Sequence, residues 1–199
     1  MSVPAFFAQI PSITLYDPLS RFLGAGDGLL TYTYEDALKL AGHSCPTVAG
    51  AWLMLAAGLA RLWPDGTPVR GKIAVYLPEA AEAGTTGVVA AVASLVTGAR
   101  GADGFKGIAG HFERCGLLFF DAPLPGALGL RRTDTGAAIV AELDLSGIPA
   151  DARMSPLLRC WVEGRASAED IDLFGQIWQD RVRRIFEPAE ELVQLASWP

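Results

Sequence analysis

Residues 42–62 read GHSCPTVAGAWLMLAAGLARL, and the fold is decided by how this stretch is read. Pro46 suits the first position of a helix, where its missing N–H would have had no partner. Residues 48–62 are mostly Ala, Leu, Met and Trp, good helix formers. A helix with almost no polar face is buried on nearly all sides. Gly50 and Gly58 interrupt the run, and their missing side chains would let another backbone approach. The apolar stretch 48–63 is shorter than the ~20 residues a bilayer requires and holds Arg61, so it reads as a core helix.

Working outward, the cluster Pro64-Asp65-Gly66-Thr67-Pro68 is a turn, and residues 72–77 alternate as a strand does. Gly84-Thr85-Thr86-Gly87 opens an Ala/Val-rich run to Val96, a second core helix ended by Gly98. Residues 105–120 read as a glycine-interrupted hairpin with 117–120 as its clearest strand, and 128–132 and 137–143 add two strands around Asp134-Thr135-Gly136. Upstream, 29–34 has the bias of a strand or extended segment, 35–40 that of one or two helical turns, and 1–28 that of a packed arm with a short helix near 17–23. From Ser155-Pro156 a short helix runs to about Gly164. Ser167 then caps a longer amphipathic helix through Phe186, with Asp170 at the capping-box position. Its stripe of Ile171, Phe174, Ile177, Trp178, Val182, Ile185 and Phe186 packs on the domain or on a dimer partner. The expectation is an α+β fold in which a mixed or antiparallel sheet packs against two core helices, with a C-terminal helical appendage. It divides into an arm (1–28), a core (29–150) and C-terminal helices (151–199).

A chain of 199 residues, 51% hydrophobic and 19% charged, is long enough for one sizeable core. A formal net charge of -6 argues against nucleic acid or an anionic membrane, which call for a cationic face. Met1-Ser2-Val3-Pro4 does not resemble the basic start of a secretory signal, so a cytoplasmic location is expected. Cys45, Cys115 and Cys160 are odd in number and widely spaced, which suits reduced thiols.

Site-like chemistry is concentrated in Gly42-His43-Ser44-Cys45-Pro46. A helix start stabilises a thiolate through its dipole and free N–H groups, and the thiolate is the species that binds metal. Imidazole with thiolate favours zinc or another late transition metal over calcium or magnesium. The plainer reading is a buried cysteine acting as a small hydrophobe beside an ordinary histidine. The other histidine, His111, lies in Lys106-Gly107-Ile108-Ala109-Gly110-His111-Phe112-Glu113-Arg114-Cys115. Its glycines permit close backbone approach, which could carry His111 or Cys115 to the helix start. His111 is thus a candidate metal ligand and a candidate catalytic acid/base group, weighed evenly against an ordinary histidine.

Ala41-Gly42-His43-Ser44-Cys45-Pro46 with its small-residue helix resembles the His-Gly-His-x-Cys-Pro-Gly signature of the FmdE-like family, named for a component of formylmethanofuran dehydrogenase. The likeness extends to Leu95-Val96-Thr97-Gly98, to the hairpin near 105–120 and to Gly164-Arg165-Ala166-Ser167, covering most of 30–186. It implies a compact α+β domain, often a homodimer, holding a metal, commonly zinc, through His43 and Cys45. Ala41 stands where the signature has its first histidine, Thr47 where it has its last glycine, and Val88 near the place of a further cysteine. A cysteine zinc ribbon of the kind some members append is not seen.

Candidates to complete such a site are His111, Cys115, Glu79 and Glu82, the two glutamates more readily read as solvated loop charges. Thr85 and Thr86, at a helix start, could instead hold an anion. Gly24-Ala25-Gly26-Asp27-Gly28 lacks the context of a dinucleotide fingerprint, and a phosphate loop is not found. The expected function is a metal-binding protein, with His111 or a glutamate as general base if it acts on a small molecule. The alternative is a non-catalytic accessory or interaction protein with a degenerate site. A minor alternative is haem ligation through the Cys45 thiolate.

Overall fold

The computed structural model describes residues 3–199. After a 3₁₀ turn at Ala5–Gln9 come β1 (Ile13–Tyr16), α1 (Pro18–Phe22), β2 (Leu29–Tyr32), α2 (Tyr34–Ala41), α3 (Pro46–Leu62), β3 (Ile73–Tyr76) and α4 (Thr86–Thr97). They are followed by β4 (Leu118–Phe119), β5 (Leu128–Arg132), β6 (Ala138–Leu143), α5 (Met154–Val162), α6 (Ala168–Phe186), α7 (Ala189–Leu192) and β7 (Val193–Ser197). The class is α+β: a five-stranded mixed sheet in the order β4-β3-β5-β6-β7 and a separate β1-β2 ladder.

Helix α3 is the centre. It packs on β5, β6 and β7 and is covered by α2, α4 and α6. Its two glycines are contact points with the sheet. A Cβ at Gly50 would lie 2.2 Å from Leu143 Cδ2, and one at Gly58 would lie 2.8 Å from Leu130 Cδ1 and 3.0 Å from Ile139 Cδ1. The backbone approach expected there is not made: side chains of the sheet fill the space instead. Trp52, Leu55 and Leu59 on the same helix are fully buried. Each such side chain contributes about 1.5–3 kcal/mol relative to exposure. Tyr34 of α2 meets Phe7, Trp52 and Phe186 edge to face, tying the first residues and α6 to this core.

Two expectations change. In place of a hairpin over 105–120, only Ile108 and His111 bridge, across a tight turn, and β4 pairs parallel with β3. Buried β3 offers β4 an apolar neighbour, and Val75 and Leu77 donate their N–H groups to the Leu117 and Phe119 carbonyls (2.7 and 2.9 Å). The chain's last residues also add a strand, β7, along the full length of β6. In α6 the capping box of Ser167 and Asp170 forms as expected. The stripe of α6 divides: Ile177, Val182 and Ile185 are buried, while Ile171 and Phe174 line an open groove with α5. Among the described residues no helix is long and apolar enough to cross a membrane.

Candidate functional site

The start of α3 is a closed joint. Cys45 is the N-cap of α3, and its Sγ accepts the Val48 N–H at 3.5 Å. Ser44 is buried: its hydroxyl shares a hydrogen bond with the Tyr34 hydroxyl (3.0 Å), and its carbonyl accepts from Trp178 Nε1 (2.8 Å) and Gln179 Nε2 (3.2 Å) of α6. Burial pushes the Tyr34 hydroxyl well above the usual tyrosine range, so it stays neutral and available for that bond. His43 is exposed, and its Nδ1–H donates to the Ala41 carbonyl at 2.9 Å. His43 and Cys45 are two donors, whereas a structural zinc centre takes four ligands and a catalytic one three plus water. Among the described residues no group of three or more His, Cys, Asp or Glu side chains is placed to hold a metal, so His111 is not gathered with His43 and Cys45.

His111 belongs to a different place. Ala109 and Gly110 both have positive φ (50° and 78°), the conformation of a two-residue hairpin turn, and Ile108 and His111 exchange N–H···O bonds across it (2.8 and 3.0 Å). Phe112 follows with φ 65°, uncommon for a residue with a bulky side chain, and its ring stacks on Phe22 at 5.3 Å. The backbone of Arg114 is pinned on both sides, its N–H donating to the Phe105 carbonyl and its carbonyl accepting from Arg100 N–H (both 2.8 Å). The result is one wall of a cavity of about 470 Å³ whose lining includes Arg70, Lys72, His111, Arg114, Cys115 and Thr133.

Beneath it lies a buried ionic cluster. Asp17, the N-cap of α1, accepts the Leu19 and Ser20 amides, Arg70 Nη1 at 3.0 Å and Arg114 Nη2 at 2.8 Å. Burial opposes its ionisation, but the Ser20 amide and the two guanidiniums outweigh that, holding its carboxyl below the usual carboxylate range. Arg70 is fully engaged, since Nε and Nη2 donate to the Val96 and Leu95 carbonyls at the end of α4 (3.1 and 3.3 Å). Arg114 is not: Asp17 is its one side-chain partner among the described residues. Room for the Arg114 side chain comes from Gly71, where a Cβ would lie 1.3 Å from Nη1 and where φ is +81°.

The other candidates sit elsewhere. Glu79 accepts from Thr86 Oγ1 at 3.2 Å, and both line a cavity with Thr85 and Glu142, whose two carboxylates disfavour the anion considered for Thr85 and Thr86. Glu82 is exposed in the preceding turn. Sequence reasoning missed Asp17, Arg70, Lys72, Arg114 and Thr133. Asp17-Pro18 carries a readable helix-start signal, but nothing local pairs it with arginines 53 and 97 positions away.

No family model and no curated protein matches the chain. Among solved structures, it is similar to a tungsten formylmethanofuran dehydrogenase FmdE-like protein from Syntrophus aciditrophicus. The two share 16% identity over 84% of this chain and 72% of that one, at a TM-score of 0.45, a distant likeness that transfers no property to this chain.

Proposed function

We propose that this chain binds a small molecule in the cavity under the 105–117 loop, with His111 as the group that exchanges a proton with it. The observation that supports this reading is the gathering of an imidazole, a thiol, an ammonium and a hydroxyl, from His111, Cys115, Lys72 and Thr133, around one concave space. Convergent polar groups in a formed cavity are the usual mark of a ligand site. A fragment screen by ligand-observed NMR tests it, with Thr133→Trp as the blocking variant because Thr133 is exposed. Hits should disappear in the blocked protein. Hits that persist there would sink the reading.

A second reading, a transition metal such as zinc at His43 and Cys45, has one observation in its favour. The Nδ1 bond to Ala41 leaves Nε2 of His43 as the outward nitrogen, the way metal-ligating histidines are commonly oriented. Since the described residues bring no third ligand to them, further ligands would come for instance from a second copy. Elemental analysis of anaerobically purified protein should then find near-stoichiometric metal that is lost in His43→Ala. Protein that is metal-free and cannot be reloaded would dispose of it.

A further inference from the structure

We infer that the ligand of the cavity is a small organic oxyanion, a carboxylate or phosphate ester, whose charged end takes the free N–H groups of Arg114 beside Lys72. Its organic part would lie against Phe112. The inference rests on the reading of this cavity as a binding site and adds the chemical class of what enters it.

Three observations carry it. Arg114 is a buried guanidinium, its side chain 7% exposed, whose Nε and Nη1 have no hydrogen-bond partner among the described residues although the residue lines the cavity. Neither atom is fully sealed from solvent, although Nη1 packs against Gly71. A guanidinium N–H left without a partner offers a carboxylate or phosphate oxygen a charge-assisted hydrogen bond. Secondly, three cations, Arg70, Lys72 and Arg114, face two carboxylates, Glu113 on the wall and Asp17 beneath. One positive charge is in excess there, before His111 is counted, in a chain whose net charge is -6. Thirdly, the arginines are built in at some expense. Gly71 keeps a left-handed φ and leaves space for Nη1, and a Cβ at Gly98 would crowd Arg70 Cζ (3.0 Å) and Arg114 Cδ (3.2 Å). Buried ion pairs seldom stabilise a fold more than apolar packing does, so stability alone gives little reason for this arrangement. Phe112, stacked on Phe22, supplies an apolar rim for the uncharged part of the ligand.

The chain's two histidines make the test internal, since His111 lies on the cavity wall and His43 does not. Phenyl phosphate, benzoate, neutral benzyl alcohol and cationic benzylamine are titrated at matched ionic strength while the imidazole signals are followed by ¹H–¹⁵N NMR. The two anions should shift His111, leave His43 in place and bind more tightly than the other probes. The tighter of the pair identifies the ligand as a phosphate ester or a carboxylate. Arg114→Lys keeps the charge but removes guanidinium N–H donors, and should weaken binding by about tenfold to a hundredfold. Lys72→Ala, at an exposed position, should weaken it by about two- to fivefold and covers the case in which the buried variant fails to fold. Benzyl alcohol or benzylamine shifting His111 as strongly as the anions would overturn the ligand class and leave the cavity reading standing. Anion binding unchanged in Lys72→Ala and in any folded Arg114→Lys would overturn it too. A His111 that answers to none of the probes would overturn both.

Discussion

The start of α3 and the 105–117 loop hold the chain's two histidines, and two of its three cysteines, in opposite conditions. At the first, side chains that look reactive are engaged within the chain. Ser44 joins α2 to α6, Cys45 caps α3, and His43 holds its own turn. At the second, the backbone is tightly pinned while the side chains stay available. Arg114 has donors to spare, and His111 and Cys115 face a cavity. Reactive residue types therefore do not mark a site by themselves. What marks it is whether the fold satisfies them internally, because a buried polar group left unpaired costs about 1–3 kcal/mol and persists only for a reason.

The contrast can be broken, beginning with the largest effect. Asp17→Asn keeps the cap of α1 but removes the counter-charge of two arginines, and should cost about 3–5 kcal/mol in urea unfolding. A loss below about 1 kcal/mol would mean that the cluster is not held by charge. The same carboxylate sets an acid dependence. Its folded pKa is depressed, so its contribution is present above the unfolded value of about 3.9 and is lost as pH falls through the lower folded one. Asp17→Asn should flatten that part of the stability profile.

Ser44→Ala should cost about 1–3 kcal/mol, because the buried Tyr34 hydroxyl loses its partner. Thermal unfolding followed by near-UV dichroism would show it, and a neutral result would mean that the joint is looser than its hydrogen bonds suggest. Ser167→Ala, which uncaps the helix roofing that joint, should cost about 1 kcal/mol. His43→Ala should change stability by no more than about 0.5 kcal/mol, as expected of an exposed side chain with one local bond. A larger loss in metal-loaded protein than in chelated protein would favour the metal reading and erase the contrast between the two regions.

Much of the fold was legible. The Ala/Leu-rich run after Pro46, the Ala/Val run ended by Gly98, the two strands around Asp134-Thr135-Gly136 and the capping box at Ser167 are local patterns, and each forms as read. Elements whose partners are distant in sequence were less legible. β1 pairs with β2, and the closing segment 193–197 pairs with β6, while neither carries enough alternation to announce a partner. The reading of 117–120 as a strand holds at β4, but the hairpin expected around it gives way to parallel pairing with β3, which depends on where β3 lies.

The site divides the same way. His111 and Cys115 stand out in a glycine-rich segment, so the loop drew attention, but Arg114 between them did not. An arginine on a loop is ordinarily solvated, and nothing nearby reveals that Gly71 and Asp17 draw this one inside. By itself, then, the sequence determined the α+β class, the two core helices and the capping box that starts α6, because propensity, capping and periodicity act within a few residues. Only the tertiary structure decided which of the two histidines faces a cavity and which arginine keeps free donors. Burial and charge pairing join residues far apart in the chain, and no local pattern records which ones will meet.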